Sequence, residues 1–200
     1  MNNVFIEGPV QTGKSTLLRK ILKEKYGPAL DGVSGFTSQR IIDADGNLLG
    51  FRLAPAAAEL EVGLNSFGVT DISMFDNVFK YFTPEGPRVD MDVFDNSGIG
   101  YMNEALDKAK AGLTSVILLD EIGGHELVSE VFRSKLYELL DSDYPCVGVI
   151  KSADNTRRMD PNLAQLNEEL RERIGPTLLS HSFREDLQAA QALTELLRQI

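Results

Sequence analysis

Gly8-Pro9-Val10-Gln11-Thr12-Gly13-Lys14-Ser15 decides how this 200-residue chain reads. The stretch matches G-x-x-x-x-G-K-[ST] at every fixed position. An apolar run, residues 4–6, leads into it. Behind it, Leu17, Leu18, Ile21 and Leu22 recur on one side of a helical pattern, with Arg19, Lys20 and Lys23 on the other. Strand, glycine loop and helix in that order suit a phosphate chain. Glycines let the backbone approach closely, so that successive N–H groups point inward. The positive end of the helix adds a favourable field. Lys14 is expected to reach the β- and γ-phosphates, and the Ser15 hydroxyl to ligate Mg²⁺. Thr16 would offer its hydroxyl or N–H to the α-phosphate.

The stretch Ser115-Val116-Ile117-Leu118-Leu119-Asp120-Glu121 supplies the expected second half of such a site. A continuous apolar run fits a parallel strand covered on both faces. An acid at its end lies at the carboxyl edge of the sheet, where ligands bind. Asp120 is therefore expected to hold the metal, usually through water. Glu121 could orient or deprotonate the attacking water, which favours hydrolysis over transfer to another acceptor. Asp120-Glu121-Ile122-Gly123 also spells D-x-x-G, in which the Gly123 N–H would contact the γ-phosphate. The guanine-reading N-K-x-D is absent, because Lys151-Ser152-Ala153-Asp154 departs from it on both sides of the lysine.

Working outward, residues 35–42 and 48–53 flank Asp43-Ala44-Asp45-Gly46, a strong hairpin signal. In residues 54–87, Ile72, Phe75, Val78, Phe79 and Phe82 recur at helical spacing. One amphipathic helix is expected there, with core packing or a partner protein for its stripe. Val89, Met91 and Val93 alternate with Asp90 and Asp92, which suggests a strand. Further helices are expected over 101–110, 130–140, 163–174 and 184–199, and strands over 147–150 and 178–180. The alternation gives an α/β fold in three layers: one domain with a mainly parallel open sheet, helices on both faces and an antiparallel hairpin.

Composition narrows the function classes. Hydrophobic residues make up 42% and charged residues 25%, ordinary for a globular protein. A net charge of -10 disfavours non-specific nucleic-acid binding, so any phosphate site must be a local exception. The single cysteine, Cys146, lies in an apolar run and reads as a buried structural thiol, consistent with a reducing compartment. No apolar run approaches the ~18 residues of a membrane span. The first residues enter directly into a strand-like run, so no secretion signal is expected and the cytoplasm is the expected location.

The loop, the hairpin residues Gly35-Phe36-Thr37, Arg40, Gly50 and Phe51, and Leu118-Leu119-Asp120-Glu121-Ile122-Gly123 with Glu126, Leu127 and Phe132 resemble the small nucleoside-triphosphatase family of archaea, bacteria and animals. The Asp-Glu-Ile-Gly-x-x-Glu-Leu stretch is the specific part. The resemblance implies a RecA-like P-loop fold and Mg²⁺-dependent hydrolysis of several nucleoside triphosphates without tight base selection. Carried over by position, residues 8–16 would bind phosphates, Asp120 the metal and Glu121 the water. The family usually has Lys-Met after Asp-Glu-Ile-Gly, where this chain has Gly124-His125, and residues 54–87 look longer than in typical members.

An added cation often serves the γ-phosphate, and Arg40, Arg157 and Arg158 are candidates. Lys151 ends a core strand at the same sheet edge and could line the base pocket. His125 and His181 receive no catalytic task. Asp90, Asp92 and Asp95 read as solvated acids. The best reading is a Mg²⁺-dependent nucleoside-triphosphatase. A nucleotide or small-molecule kinase, or a slow nucleotide-switched adaptor for a protein partner, are the alternatives.

Overall fold

The computed structural model describes residues 3–63, 72–181 and 187–199. The chain opens with β1 (Val4–Glu7), the glycine loop and α1 (Lys14–Tyr26), as the sequence leads one to expect. β2 (Val33–Ile42) and β3 (Leu48–Pro55) form the predicted hairpin, followed by the short β4 (Glu61–Gly63). β5 (Val78–Thr83), β6 (Gly86–Val89), α2 (Ile99–Lys110), β7 (Val116–Ile122), α3 (Glu130–Leu140) and β8 (Cys146–Ile150) come next. The chain closes with α4 (Ala153–Met159), α5 (Pro161–Ile174), β9 (Leu178–Ser180) and α6 (Leu187–Arg198).

The described strands form one sheet in the order β6-β5-β3-β2-β7-β8-β1-β9, with β4 beside β2. Pairing is parallel from β2 through β7, β8 and β1 to β9, and antiparallel from β2 through β3 and β5 to β6. Alternation along the parallel strands divides the core in two. Phe5, Ile117, Leu119, Cys146 and Ile150 face α2, α3 and α5, where Met102, Phe132, Leu136 and Leu170 meet them. Val4, Ile6, Val116, Leu118, Val147 and Val149 face α1 and α6, against Leu18, Leu22, Leu193 and Leu197. Each fully buried Leu, Ile or Phe contributes roughly 1.5–3 kcal/mol relative to exposure. The layering is the expected one, and the parallel strands bring their carboxyl ends to one edge.

Two expectations fail. No helix spans residues 72–82. Ile72–Met74 is a single 3-10 turn, and Val78–Thr83 is a strand paired antiparallel with both β3 and β6. Residues 64–71 lie outside the described residues. The Ile72/Phe75/Phe79/Phe82 spacing fits a helix, but Val78, Phe79, Tyr81 and Phe82 are β-branched or aromatic, and Thr83-Pro84-Glu85-Gly86 closes a hairpin. Most of the phenylalanine stripe is packed internally: Phe79 stacks on Phe51 at 6.2 Å and meets Phe94 at 5.0 Å, while Arg52 lies over Phe75. Only Val89 of the expected 89–93 strand is extended. Asp90 accepts the N–H of Asp92 at 3.0 Å and so caps a helical run that passes through a π turn at Phe94–Gly98 into α2.

Among the described residues no helix is long and apolar enough to cross a membrane. Cys146 is buried, and desolvation pushes its thiol up to about 12. The sequence also misses α4, which it leaves as a polar stretch; Ser152 caps it through the N–H of Asn155.

Candidate active site

The glycine loop lies between β1 and α1, at the edge where the parallel strands end. Gly8 has a φ of 149°, and a Cβ there would fall 1.9 Å from the His181 carbonyl oxygen, so only glycine fits. The His181 N–H donates to the Glu7 carbonyl at 2.8 Å, and its buried Nε2 lies 2.9 Å from the Thr12 carbonyl. His181 thus ties β1 and the loop to the end of β9. Nothing in the sequence around this isolated histidine signals that role. Arg171 of α5 secures the same corner by a two-pronged contact with Glu7.

Pro9, Val10 and Gln11 are exposed, Gln11 with a φ of 61°. The Thr12 hydroxyl donates to the Pro9 carbonyl at 2.9 Å and closes the turn. Gly13, at a φ of 86°, starts α1 without a side-chain cap. Ser129, Ser152 and Asp160, by contrast, each cap α3, α4 and α5 with a side-chain oxygen. The first N–H groups of α1 therefore remain available to an anion. Lys14 Nζ donates to the Gly8 and Pro9 carbonyls at 3.1 and 2.5 Å. Burial lowers its pKa, opposed by the nearby Glu121 and Asp120. Thr16 is exposed beside this loop.

Ser15 and Asp120, 105 positions apart, meet directly: the Ser15 hydroxyl donates to Asp120 Oδ1 at 2.9 Å. Thr37 of β2 donates to Oδ2 at 2.8 Å. Asp120 is only 3% exposed. Burial, and then the charge of Glu121, push its pKa up to about 6, against the pull of the Thr37 and Ser15 hydroxyls and Lys151. A buried carboxylate with two hydroxyl donors, and a second acid next to it, has oxygen chemistry that fits a hard divalent cation such as Mg²⁺. Thr37 belongs to the Gly35-Phe36-Thr37 stretch, but Ser34 and Ser38 are buried in the same strand, so the sequence does not single out its hydroxyl.

β7 does not end at Asp120. It runs to Ile122, with a bulge where Leu119 pairs with Gly148 and Ile122 with Ile150. The extra residue puts Glu121 at a φ of 63°, rare for a residue with a side chain. Alternation carries Asp120 to the α1 side with Leu118, and the bulge after it breaks the pattern, so that Ile122 returns to the opposite core face. Gly123, at a φ of 95°, packs against Asn167, whose Nδ2 donates to the Gly123 carbonyl at 3.0 Å. The Lys151 ammonium donates to the Glu121 carbonyl at 2.7 Å. Its charge acts on both Lys14 and Lys80. Lys80 of β5 was hidden in the sequence by the helical reading of its segment. His125 lies close by and is lowered by burial and the Lys80 charge.

The cation candidates read from sequence are drawn elsewhere. Arg40 pairs with Glu61 at 3.0 Å and Arg157 with Asp154 at 3.4 Å, while Arg158 is exposed on α4. Asp95 accepts from the Ser129 hydroxyl, and among the described residues no three or more of the acids, histidines and cysteine cluster so as to hold a metal by themselves.

Known proteins resemble this chain in sequence and fold. The chain is 25% identical to nucleoside-triphosphatase THEP1 of Thermotoga sp. (strain RQ2), over 88% of its length and 93% of the relative's. It is 29% identical to the protein of that name from Methanocaldococcus jannaschii, over 88% and 95%. The crystal structure of THEP1 from Aquifex aeolicus superposes with a TM-score of 0.62 at 22% identity, covering 97% of this chain and 98% of that one. The solution structure of a human cancer-related nucleoside triphosphatase gives 0.60 at 21%, covering 98% and 96%. These two likenesses support the fold. The NTPase family model matches residues 3–179, the span from the start of β1 into β9, and this chain belongs to that family.

Proposed function

We propose that this chain hydrolyses nucleoside triphosphates to the diphosphate and inorganic phosphate, with Mg²⁺ and with little selection of the base. The observation that carries this reading is the meeting of Ser15 with Asp120, with Glu121 next along a bulged strand. The loop from Gly8 to Thr16 would cradle the phosphates, with Lys14 on the β- and γ-oxygens. Ser15 and Asp120 would hold the cation, Thr37 fixing the second oxygen of Asp120. When bound, Mg²⁺ would neutralise charge on the phosphate chain.

Glu121 would orient a water in line with the γ-phosphorus. The water oxygen forms the new P–O bond, the bond to the β–γ bridging oxygen breaks, and the water proton passes to the Glu121 carboxylate. The diphosphate leaves with the electron pair. Broad base tolerance is supported by the side chains gathered here, which address phosphate, metal and water, and by the lack of an Asn-Lys-x-Asp sequence. The names of the curated relatives point the same way.

Phosphate release from ATP, GTP and CTP, with and without Mg²⁺, tests the reading. Wild type should turn over all three only with the metal. Glu121→Gln should bind nucleotide yet lose roughly 100-fold or more in kcat, and Lys14→Ala should lose binding as well. Equal phosphate release by wild type and Glu121→Gln would sink the assignment of the water to Glu121.

A further inference from the structure

We propose that Lys80 is a further catalytic residue, an ammonium that β5 delivers to the terminal phosphoryl group beside Glu121 and Lys151. The inference rests on the hydrolytic reading above and adds the cation that the loop alone does not supply.

The sheet register places the residue. Arg40 of β2 pairs with Phe51 of β3, and Phe51 pairs with Lys80 of β5. Residues directly opposite in a ladder share a face. Arg40 also shares a face with Phe36, four positions back on β2, whose ring meets Phe132 of α3 at 6.2 Å. Lys80 therefore stands on the α3 side of the sheet, where the chain leaving β7 carries His125 and Glu126.

Its electrostatic neighbours match that placement. Lys80 lies in the fields of Lys151 and Glu121, and His125 in the field of Lys80. Lys14 shares the first two neighbours. In the proposed site the γ-phosphoryl group sits between Lys14 and the water that Glu121 orients, and Glu121 and Lys151 are the neighbours the two lysines have in common.

Among the described residues, Lys80 has no ion pair and no hydrogen bond from its ammonium, which lies 5.8 Å from the centroid of the Phe82 ring. Arg40 and Arg157 are each bound to a carboxylate, and Lys151 to a carbonyl. Glu121 is the counter-charge beside Lys80, while Lys80 and Lys151 repel each other, so a phosphoryl anion brought beside the two lysines would be favoured. Burial and the Lys151 charge lower the Lys80 pKa, opposed by the charge of Glu121. During hydrolysis negative charge spreads over the γ-phosphoryl oxygens, and an ammonium fixed there acts on the transition state more than on the bound diphosphate. The water proton still passes to Glu121 and the diphosphate still leaves with the bond pair, so Lys80 changes charge stabilisation and no bond.

The test compares wild type, Lys80→Met, Lys80→Arg and Glu121→Gln in phosphate release and in Mg-ADP binding with and without fluoroaluminate. Lys80→Met keeps the side-chain stem, and its melting temperature checks folding. It should lower kcat roughly 100-fold or more and leave Mg-ADP affinity within about twofold. Fluoroaluminate should tighten Mg-ADP binding to wild type and not to Lys80→Met. Lys80→Arg should recover much of both. A kcat for Lys80→Met within about threefold of wild type overturns the proposal, as does a loss of Mg-ADP affinity and melting temperature that matches the loss of rate. If only Glu121→Gln fails, the hydrolytic reading stands and the role of Lys80 falls. If wild type releases no phosphate from any triphosphate, both fall.

Discussion

The two halves of the sheet are built to different standards of burial. β7 and β8 are buried at almost every position, and β1 up to its last residue. In β5 and β6 no residue is fully buried. The parallel half is clamped between helices on both faces and carries the loop, Asp120 and Glu121 on elements that cannot shift without disturbing the core. The antiparallel half lies toward the sheet's edge, yet it brings Lys80 to the same site. Groups that must be positioned finely sit on the doubly covered strands. A cation on a flexible stem tolerates the looser support.

The sharpest way to break that contrast is to ask whether residues 78–83 hold as a strand in solution. In a helix Phe79 and Phe82 would share a face, and truncating either would cost alike. In β5 Phe79 stacks against Phe51 and Phe94, while Phe82 is 47% exposed. Phe79→Ala should therefore lose roughly 2–3 kcal/mol, below the usual core range because the ring is only partly buried. Phe82→Ala should stay within about 0.5 kcal/mol. Urea unfolding of the two variants measures the difference, and equal losses would restore the helix.

A second prediction sharpens the role of the parallel half. Thr37→Val keeps the shape of β2 but removes the hydrogen bond to Asp120 Oδ2. Residues that orient metal ligands typically alter affinity or activity by roughly 10–100-fold. The Mg²⁺ concentration for half-maximal phosphate release should rise about tenfold, with little change in melting temperature. An unchanged Mg²⁺ dependence would mean that Asp120 needs no such anchor.

The same contrast explains what could be read from the residues. β1, β7 and β8 are short apolar runs of a kind that only a covered parallel strand uses, and the loop has a fixed spacing. With them, the layers and the residues at Gly8–Thr16, Asp120 and Glu121 were legible. Residues 72–82 were not, because five of their apolar residues are spaced as in a helix, and the β3 partners that help make β5 a strand lie far along the chain. For the same reason no pattern in the sequence marks Lys80. Thr37 and His181 act on groups 83 and 169 positions away, through Asp120 and the Thr12 carbonyl. No local pattern records such distances. The bulge at Glu121 is likewise a property of the β7–β8 register.

The smallest effects test how the halves are joined. Where the chain leaves β6, Asp95 accepts from the Ser129 hydroxyl, and Ser129 in turn accepts the Phe132 N–H at 3.1 Å as the cap of α3. Ser129→Ala removes both bonds. A lost cap costs about 1 kcal/mol, and Asp95, which is only partly buried, can regain water. In the Ser129→Ala background, Asp95→Asn should then cost less than about 0.5 kcal/mol, because its partner is already gone. In the wild-type background the same change should cost more, since a charged acceptor is replaced by a weaker one. Urea midpoints of the four proteins give the coupling. A value near zero would mean that α3 is held by its cap alone, and that the turn at Asp95 rests against it without fixing it.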